Sequence, residues 1–273
     1  MQVVKIQDAG KRPLHGNQES YWKSNIIPKF QKYRPGFNFK YQDQESILKR
    51  YGFVAFEYGH WTTQNERYDF LASALASFSD IKRVLNFKTL GFEKIGIAYG
   101  ARGQGGAAAA HFEPGSFMIN LTRRYGFGSF AHEFGHALDY YFGGFIDQSK
   151  DSFSLSGGSS FVGKVNYEKP GTLRFLMIDL LQSIRYIDGG PSESYLMLSK
   201  QKAGTEYWFR STEIFARAFE QYVHYKLRSR KITNTFLTKN KYEDSVYLTD
   251  KDFKRILPKM EKLIQALAKK QKQ

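Results

Sequence analysis

The chain has 273 residues, 41% of them hydrophobic and 16% aromatic, which is enough for a substantial core and argues against general disorder. It contains no cysteine, which excludes disulfides, thiolate metal sites and cysteine nucleophiles, so any metal must be held by His, Asp and Glu. The formal net charge of +15 favours nucleic acid or another acidic surface as a partner, with a solvated basic surface as the plain alternative.

Neither an N-terminal apolar h-region nor a long apolar run is present, so the expectation is a cytoplasmic protein with no membrane contact. Residues 1–50 are polar, rich in Lys, Gln and aromatics, and interrupted by Pro13, Pro28 and Pro35. They read as an extended arm with little regular structure, save a short strand over the alternation FNFKY at 37–41. GFVAFEYG (52–59), bounded by glycines, is a stronger strand. A helix is predicted over 63–86, with Thr63 and Glu66 as a capping box and Phe70, Leu71, Ala74, Leu75, Phe78, Ile81 and Leu85 along one face.

Short strands are predicted at 96–101, 107–112 and 116–122, with Glu113-Pro114-Gly115 as a turn between the last two. A helix over 129–142 carries HEFGH and should stop at Gly143-Gly144. The Gly/Ser-rich stretch 151–164 reads as a long mobile loop. Helices follow at 171–187, 191–202 and 210–228. A last helix opens on a Thr249/Asp252 capping box and lines up Phe253, Ile256, Leu257, Met260, Ile264 and Leu267, with Pro258 kinking or restarting it. No internal repeat is evident. This order predicts an α+β fold, a small mixed sheet followed by the HEFGH helix and a mainly helical lobe, with a cleft between the two parts. The expected division is an arm at 1–50, a main domain at 51–230 and a helical extension at 231–273.

His132 and His136 are four residues apart, so on a helix both imidazoles project from one face and can reach a single ion, such as zinc, at about 2.0–2.1 Å. Glu133, next to the first ligand, is placed to take a proton from metal-bound water. Composition alone makes such a pattern an event of about one per cent, and its small or apolar neighbours Ala131, Phe134, Gly135, Ala137 and Leu138 suit a buried helix rather than two solvated histidines. Gly135 weakens a helix, which points to close packing there.

A third ligand is needed, and Asp139, Asp147, Glu206, Glu213 and Glu220 are the candidates. Asp139 lies on the HEFGH face and suits a carboxylate that orients an imidazole; a plain surface Asp is the alternative. In STEIFARAFEQYVHYKL (211–227), Ile214, Phe215, Ala218, Phe219, Tyr222 and Val223 form an apolar face. Glu213 begins that helix one turn from small Ala216, which permits close approach, so it is favoured, against a carboxylate placed only for the helix dipole. Glu220 would lie about 10 Å further along the axis. Ala109 and His111 fall in an edge strand able to pair with an extended peptide, though an ordinary strand histidine fits equally. His224 is a weaker ligand; Arg217 is expected to brace a carboxylate, and Tyr222 and Tyr225 are further candidates.

YGHWTTQNER, IAYGARGQGGAAAAHFEPGSFMINLT, GSFAHEFGHALDYY and STEIFARAFEQYV occur in this order between about Gly52 and Tyr225. Together they resemble the zincin-like large polyvalent protein-associated domain, found in large multidomain proteins of phages and conjugative elements. The resemblance implies a metallopeptidase fold of gluzincin type, Zn2+ on His132, His136 and Glu213, Glu133 as general base, and a hairpin edge strand before the active helix. It leaves residues 1–50 and the tail after about 230 unmatched. The expected activity is hydrolysis of a protein or peptide substrate. The competing expectation is a basic, nucleic-acid-associated or polyprotein module whose metal site is structural or vestigial, and a third is self-processing of the parent chain.

Overall fold

The computed structural model describes residues 43–60, 62–100, 109–122, 126–147, 153–157, 169–202, 204–239, 242 and 246–271. The predicted strand at 37–41, most of the arm and most of the 151–164 loop lie outside the described residues. Seven α-helices and a small mixed sheet are described, consistent with an α+β class and a helical C-terminal part. The chain divides into two compact units, Met1–Glu133 with Val223–Asn240, and Phe134–Tyr222 with Lys241–Gln273. Among the described residues no helix is long and apolar enough to cross a membrane.

The first unit begins with α1 (Gln44–Tyr51), a helix where the sequence suggested little regular structure. Asp43 caps it by accepting from the Ser46 backbone, and Gly52 ends it in the left-handed region at φ 73. That use of Gly52 shortens the predicted strand at 52–59 to β1 (Phe56–Tyr58). Helix α2 (Gln64–Leu85) has the predicted Thr63/Glu66 capping box, and its predicted apolar face is buried except for half-buried Leu75.

Strands β2 (Gly96–Tyr99), β3 (Ala110–Glu113) and β4 (Met118–Leu121) complete a sheet of order β1-β2-β4-β3. β1 and β4 run parallel to β2, while β3 pairs antiparallel with β4 and forms an edge. Every residue of the central strands β2 and β4 is buried, whereas β3 is half-buried throughout, as its place at the edge requires. The core is aromatic: Phe78 packs against Phe56, Phe130 and Phe236. Phe130 opens α3 (Phe130–Tyr141), so the first turn of the HEFGH helix is anchored in this core.

In the second unit α3 does not stop at Gly143-Gly144 but widens into a π-helical turn over Phe142–Asp147. The cause is close packing by the chain at 153–157. A Cβ on Gly143 would come within 2.5 Å of the Leu155 nitrogen and Ser154 carbonyl carbon, so only glycine fits. This part of the predicted mobile loop is tied down: Ser154, Leu155 and Ser156 are buried, and the Leu155 N–H donates to the Asp139 carbonyl at 3.1 Å.

Helix α4 (Leu173–Arg185) ends in a small hairpin, β5 (Tyr186–Ile187) with β6 (Gly190–Pro191). Then come α5 (Glu193–Gln201), a short 3-10 turn (Glu206–Phe209), α6 (Ser211–Arg228) and α7 (Asp250–Lys270). The predicted Thr249 cap is present, and α7 continues through Pro258 as one helix, so of the expected kink or restart the restart does not occur.

Buried Asp252 joins α7 to α5. It accepts from the Ser194 N–H and hydroxyl at 2.8 and 2.7 Å and from Arg255 Nη2 at 2.8 Å. Burial alone would raise its pKa, but these hydrogen bonds outweigh it and hold the carboxyl below its usual value. A pKa lowered by folding contributes stability at pH values above the unfolded-state value, about 3.9, and loses it as pH falls through the folded-state value. Asp252→Asn is therefore expected to cost about 2 kcal/mol at pH 7. In denaturant titrations the difference from wild type should shrink progressively as pH falls below the unfolded-state value of about 3.9 and through the lower folded-state value.

Candidate metal centre

Helix α3 places His132 and His136 one turn apart, and α6 brings Glu213 in its first turn. Their ligand atoms all lie within 4.8 Å of one another, a group that could hold a metal ion. His136 Nε2 is 3.2 Å from Glu213 Oε1, and both residues are buried. The close approach of α3 and α6 depends on two small residues. A Cβ on Gly135 would meet Phe219 Cδ1 at 3.1 Å and the Ala216 Cα at 3.2 Å. Gly135→Ala should push the two helices apart by a few tenths of an ångström and destabilise the fold by about 1–3 kcal/mol. Zinc titration beside chemical denaturation should then show weaker metal binding at temperatures where the variant is fully folded.

Glu213 is braced from its own helix. Arg217 Nη1 lies 3.7 Å from Glu213 Oε2, and Arg217 Nη2 donates to the Trp208 carbonyl at 2.6 Å. The guanidinium also lies over the Trp208 ring, 5.5 Å from its centroid. Burial lowers the Arg217 pKa, opposed by the charge of Glu213, and the group stays cationic because guanidinium starts so high.

Asp139 is fully buried on α3. Its carboxylate accepts from the Ser156 N–H at 2.8 Å and from the Ser156 hydroxyl at 2.6 Å. Burial pushes its pKa up, while the Ser156 hydrogen bonds and the charges of His136 and Arg174 pull the other way. Asp139 is therefore not a plain surface residue. It pins the 153–157 segment and adds negative potential near His136.

Asp147 and Glu220 have other partners. Asp147 takes Arg174 Nε at 2.9 Å and Nη2 at 2.8 Å, while Arg174 Nη1 also donates to the Ser154 carbonyl. Glu220 accepts from the Tyr247 hydroxyl at 3.0 Å; burial, then the charge of Glu220, raises the Tyr247 pKa and keeps it a donor. Glu206 is exposed in the 3-10 turn. His224 Nδ1 lies 3.2 Å from the Thr238 hydroxyl. Tyr222 is buried and Tyr225 exposed. Glu133 is buried on α3 directly after His132.

Ala109 precedes β3 and His111 lies within it. The Thr122 N–H and hydroxyl both donate to the Ala109 carbonyl, at 3.1 and 2.7 Å, which turns that carbonyl toward β4. Antiparallel alternation then directs the backbone groups of Ala110 and Phe112 away from β4, toward the sheet's open edge. His111 Nε2 lies 3.2 Å from Glu113 Oε1. The residues missed from sequence are therefore Ala110, Phe112, Ser156 and Trp208. Each depends on register or on a distant backbone position, for which the sequence carries no local signal.

Residues 199–271 match the family model of large polyvalent protein-associated domain 1. The chain is similar to that domain over this segment. It contains α6 with Glu213 and Arg217, and it includes the tail after about 230 that the sequence motifs left unmatched. HEFGH lies outside it. No curated protein and no solved structure matches the chain.

Proposed function

We propose that this protein is a zinc-dependent peptidase of gluzincin type belonging to a polyvalent protein of a mobile genetic element. The convergence of His132, His136 and Glu213 supports the reading most directly. The match to a polyvalent protein-associated domain supports the context.

The donor set fits zinc. Two imidazoles and one carboxylate, with no thiolate, form the three-ligand complement that leaves a fourth position for water or substrate, whereas closed structural sites use four protein ligands. His132, His136 and Glu213 would hold the ion, and His136 Nε2 and Glu213 Oε1 stand 3.2 Å apart. When bound, zinc would supply Lewis acidity toward a carbonyl and lower the pKa of water.

In the proposed reaction Glu133 accepts a proton as the oxygen of water bonds to the peptide carbonyl carbon. It returns that proton to the amine nitrogen as the C–N bond breaks. Arg217 holds Glu213, and Asp139 adds its charge near His136. The edge strand β3 adds an extended substrate through backbone groups at Ala110 and Phe112.

The test combines metal analysis of the purified protein with a peptide-library digest. Stoichiometric zinc with chelator-sensitive cleavage supports the proposal. Protein that binds no zinc from a metal-replete buffer overturns it, and zinc without any cleavage favours a structural ion in a basic module.

A further inference from the structure

A second site lies in the first unit, at the C-terminal ends of α1 and α2. Arg50, Tyr51, Ser79, Lys82, Arg83 and Asn86 line a cavity of about 330 Å³. Three of these six side chains are cationic. Among the described residues none of the three has a carboxylate partner. Basic residues in the last turn of a helix are ordinarily explained by the helix dipole, and Arg50, Lys82 and Arg83 all hold such positions. The dipole does not explain why two helix ends bring their cations into one concavity.

The helix ends themselves are already satisfied. The Gly52 N–H donates to the Leu48 carbonyl, and the Asn86 N–H to the Lys82 carbonyl. These carbonyls therefore oppose an anion less than bare helix termini would. Arg50 and Lys82 also converge on one ring: the Arg50 guanidinium lies over Tyr51 at 5.5 Å from the centroid, and Lys82 Nζ at 5.8 Å. The ring holds both cations at the wall of the cavity, where an anion could meet them. Asn86, at φ 55, adds an exposed amide at the rim.

We propose that this cavity binds a phosphate of a nucleic-acid backbone, serving as a docking point for DNA separate from the metal centre. The net positive charge of the chain, +15, supplies the long-range attraction, and the cavity supplies a place where one phosphodiester is held by three cations. A membrane surface is a poorer fit, because the lining apolar groups Tyr51 and Phe87 are buried and leave nothing to insert into lipid.

The test is binding of a labelled DNA duplex by fluorescence anisotropy, at salt concentrations from about 50 to 200 mM. The pocket triple variant Arg50→Gln/Lys82→Gln/Arg83→Gln is compared with a control that removes the same charge from exposed positions of α7, Lys254→Gln/Lys262→Gln/Lys269→Gln. The pocket variant should lose at least about tenfold in affinity, and its log–log salt slope should flatten by about 1, the share of one phosphate, while the control changes much less. Equal losses in both variants would show undirected attraction by net charge and overturn the proposal. Loss of binding to anionic vesicles with duplex binding intact would overturn it in favour of lipid. Inorganic phosphate should displace the duplex no better than chloride of equal ionic strength; specific displacement would mark a free-anion site instead. Arg50→Gln alone, at an exposed position, should lower affinity in the same direction by a smaller factor and tests the cavity should the triple variant fail to fold.

Discussion

Glu133→Gln is expected to keep its zinc and lose peptide cleavage by about 10²–10⁴-fold in kcat/KM, the contribution typical of a positioned general base. The substitution is isosteric, so the helix and its two histidines keep their places. What disappears is the capacity to accept a proton at neutral pH. Since Glu133 is buried on α3, its carboxylate is also shielded from water that would otherwise stand in for it. The paired measurement separates two causes that activity alone confuses. Zinc content unchanged with cleavage lost assigns the base, whereas zinc lost together with cleavage would mean that Glu133 holds the site together. Cleavage at the wild-type rate would remove Glu133 from the chemistry and leave the peptidase proposal without a base.

Local features were readable wherever the chain signals them over a few residues. The capping pairs Thr63/Glu66 and Thr249/Asp252 mark the starts of α2 and α7, and the apolar face of α6 follows from spacing alone. Helix α1 escaped because it buries only Ile47 and Tyr51 within a Lys-rich stretch, too little apolar periodicity to stand out. The π-helical turn escaped for a different reason: Gly143-Gly144 is a stop signal by composition, and only the packing of Ser154 and Leu155 turns it into a continuation.

At the candidate metal centre, spacing alone put two histidines on one helix face and left five carboxylates, among which small Ala216 beside Glu213 favoured that residue. Tertiary partners make that choice visible. Asp147 is engaged by Arg174, Glu220 by Tyr247 and Asp139 by Ser156, while Glu213 Oε1 lies beside His136. The one sequence clue that carried through was negative space. Gly135 and Ala216 are small residues facing each other, and their smallness is what lets α6 deliver a carboxylate to α3.

Glu213→Ala is expected to weaken zinc binding by more than about 100-fold, since disturbing even an outer partner of a ligand costs 10–100-fold. It should also destabilise the metal-free protein by about 3 kcal/mol, because it strips a buried cation of its counter-charge. Arg217 is 4% exposed, and without Glu213 its guanidinium keeps the Trp208 carbonyl but loses the carboxylate 3.7 Å away. A ligand that is also half of a buried pair leaves two signatures, and a second substitution divides them. In Glu213→Ala/Arg217→Met the uncompensated charge is gone, so chelated protein should regain most of the lost stability while zinc affinity stays low. Arg217→Met alone keeps the ligand but frees its carboxylate from the Trp208 brace, for an expected loss of about 10–100-fold in zinc affinity. If Glu213→Ala binds zinc as tightly as wild type, the ligand assignment fails. If the double variant stays as unstable as the single one, the stability loss comes from the packing of α6 on Gly135 and not from the buried charge.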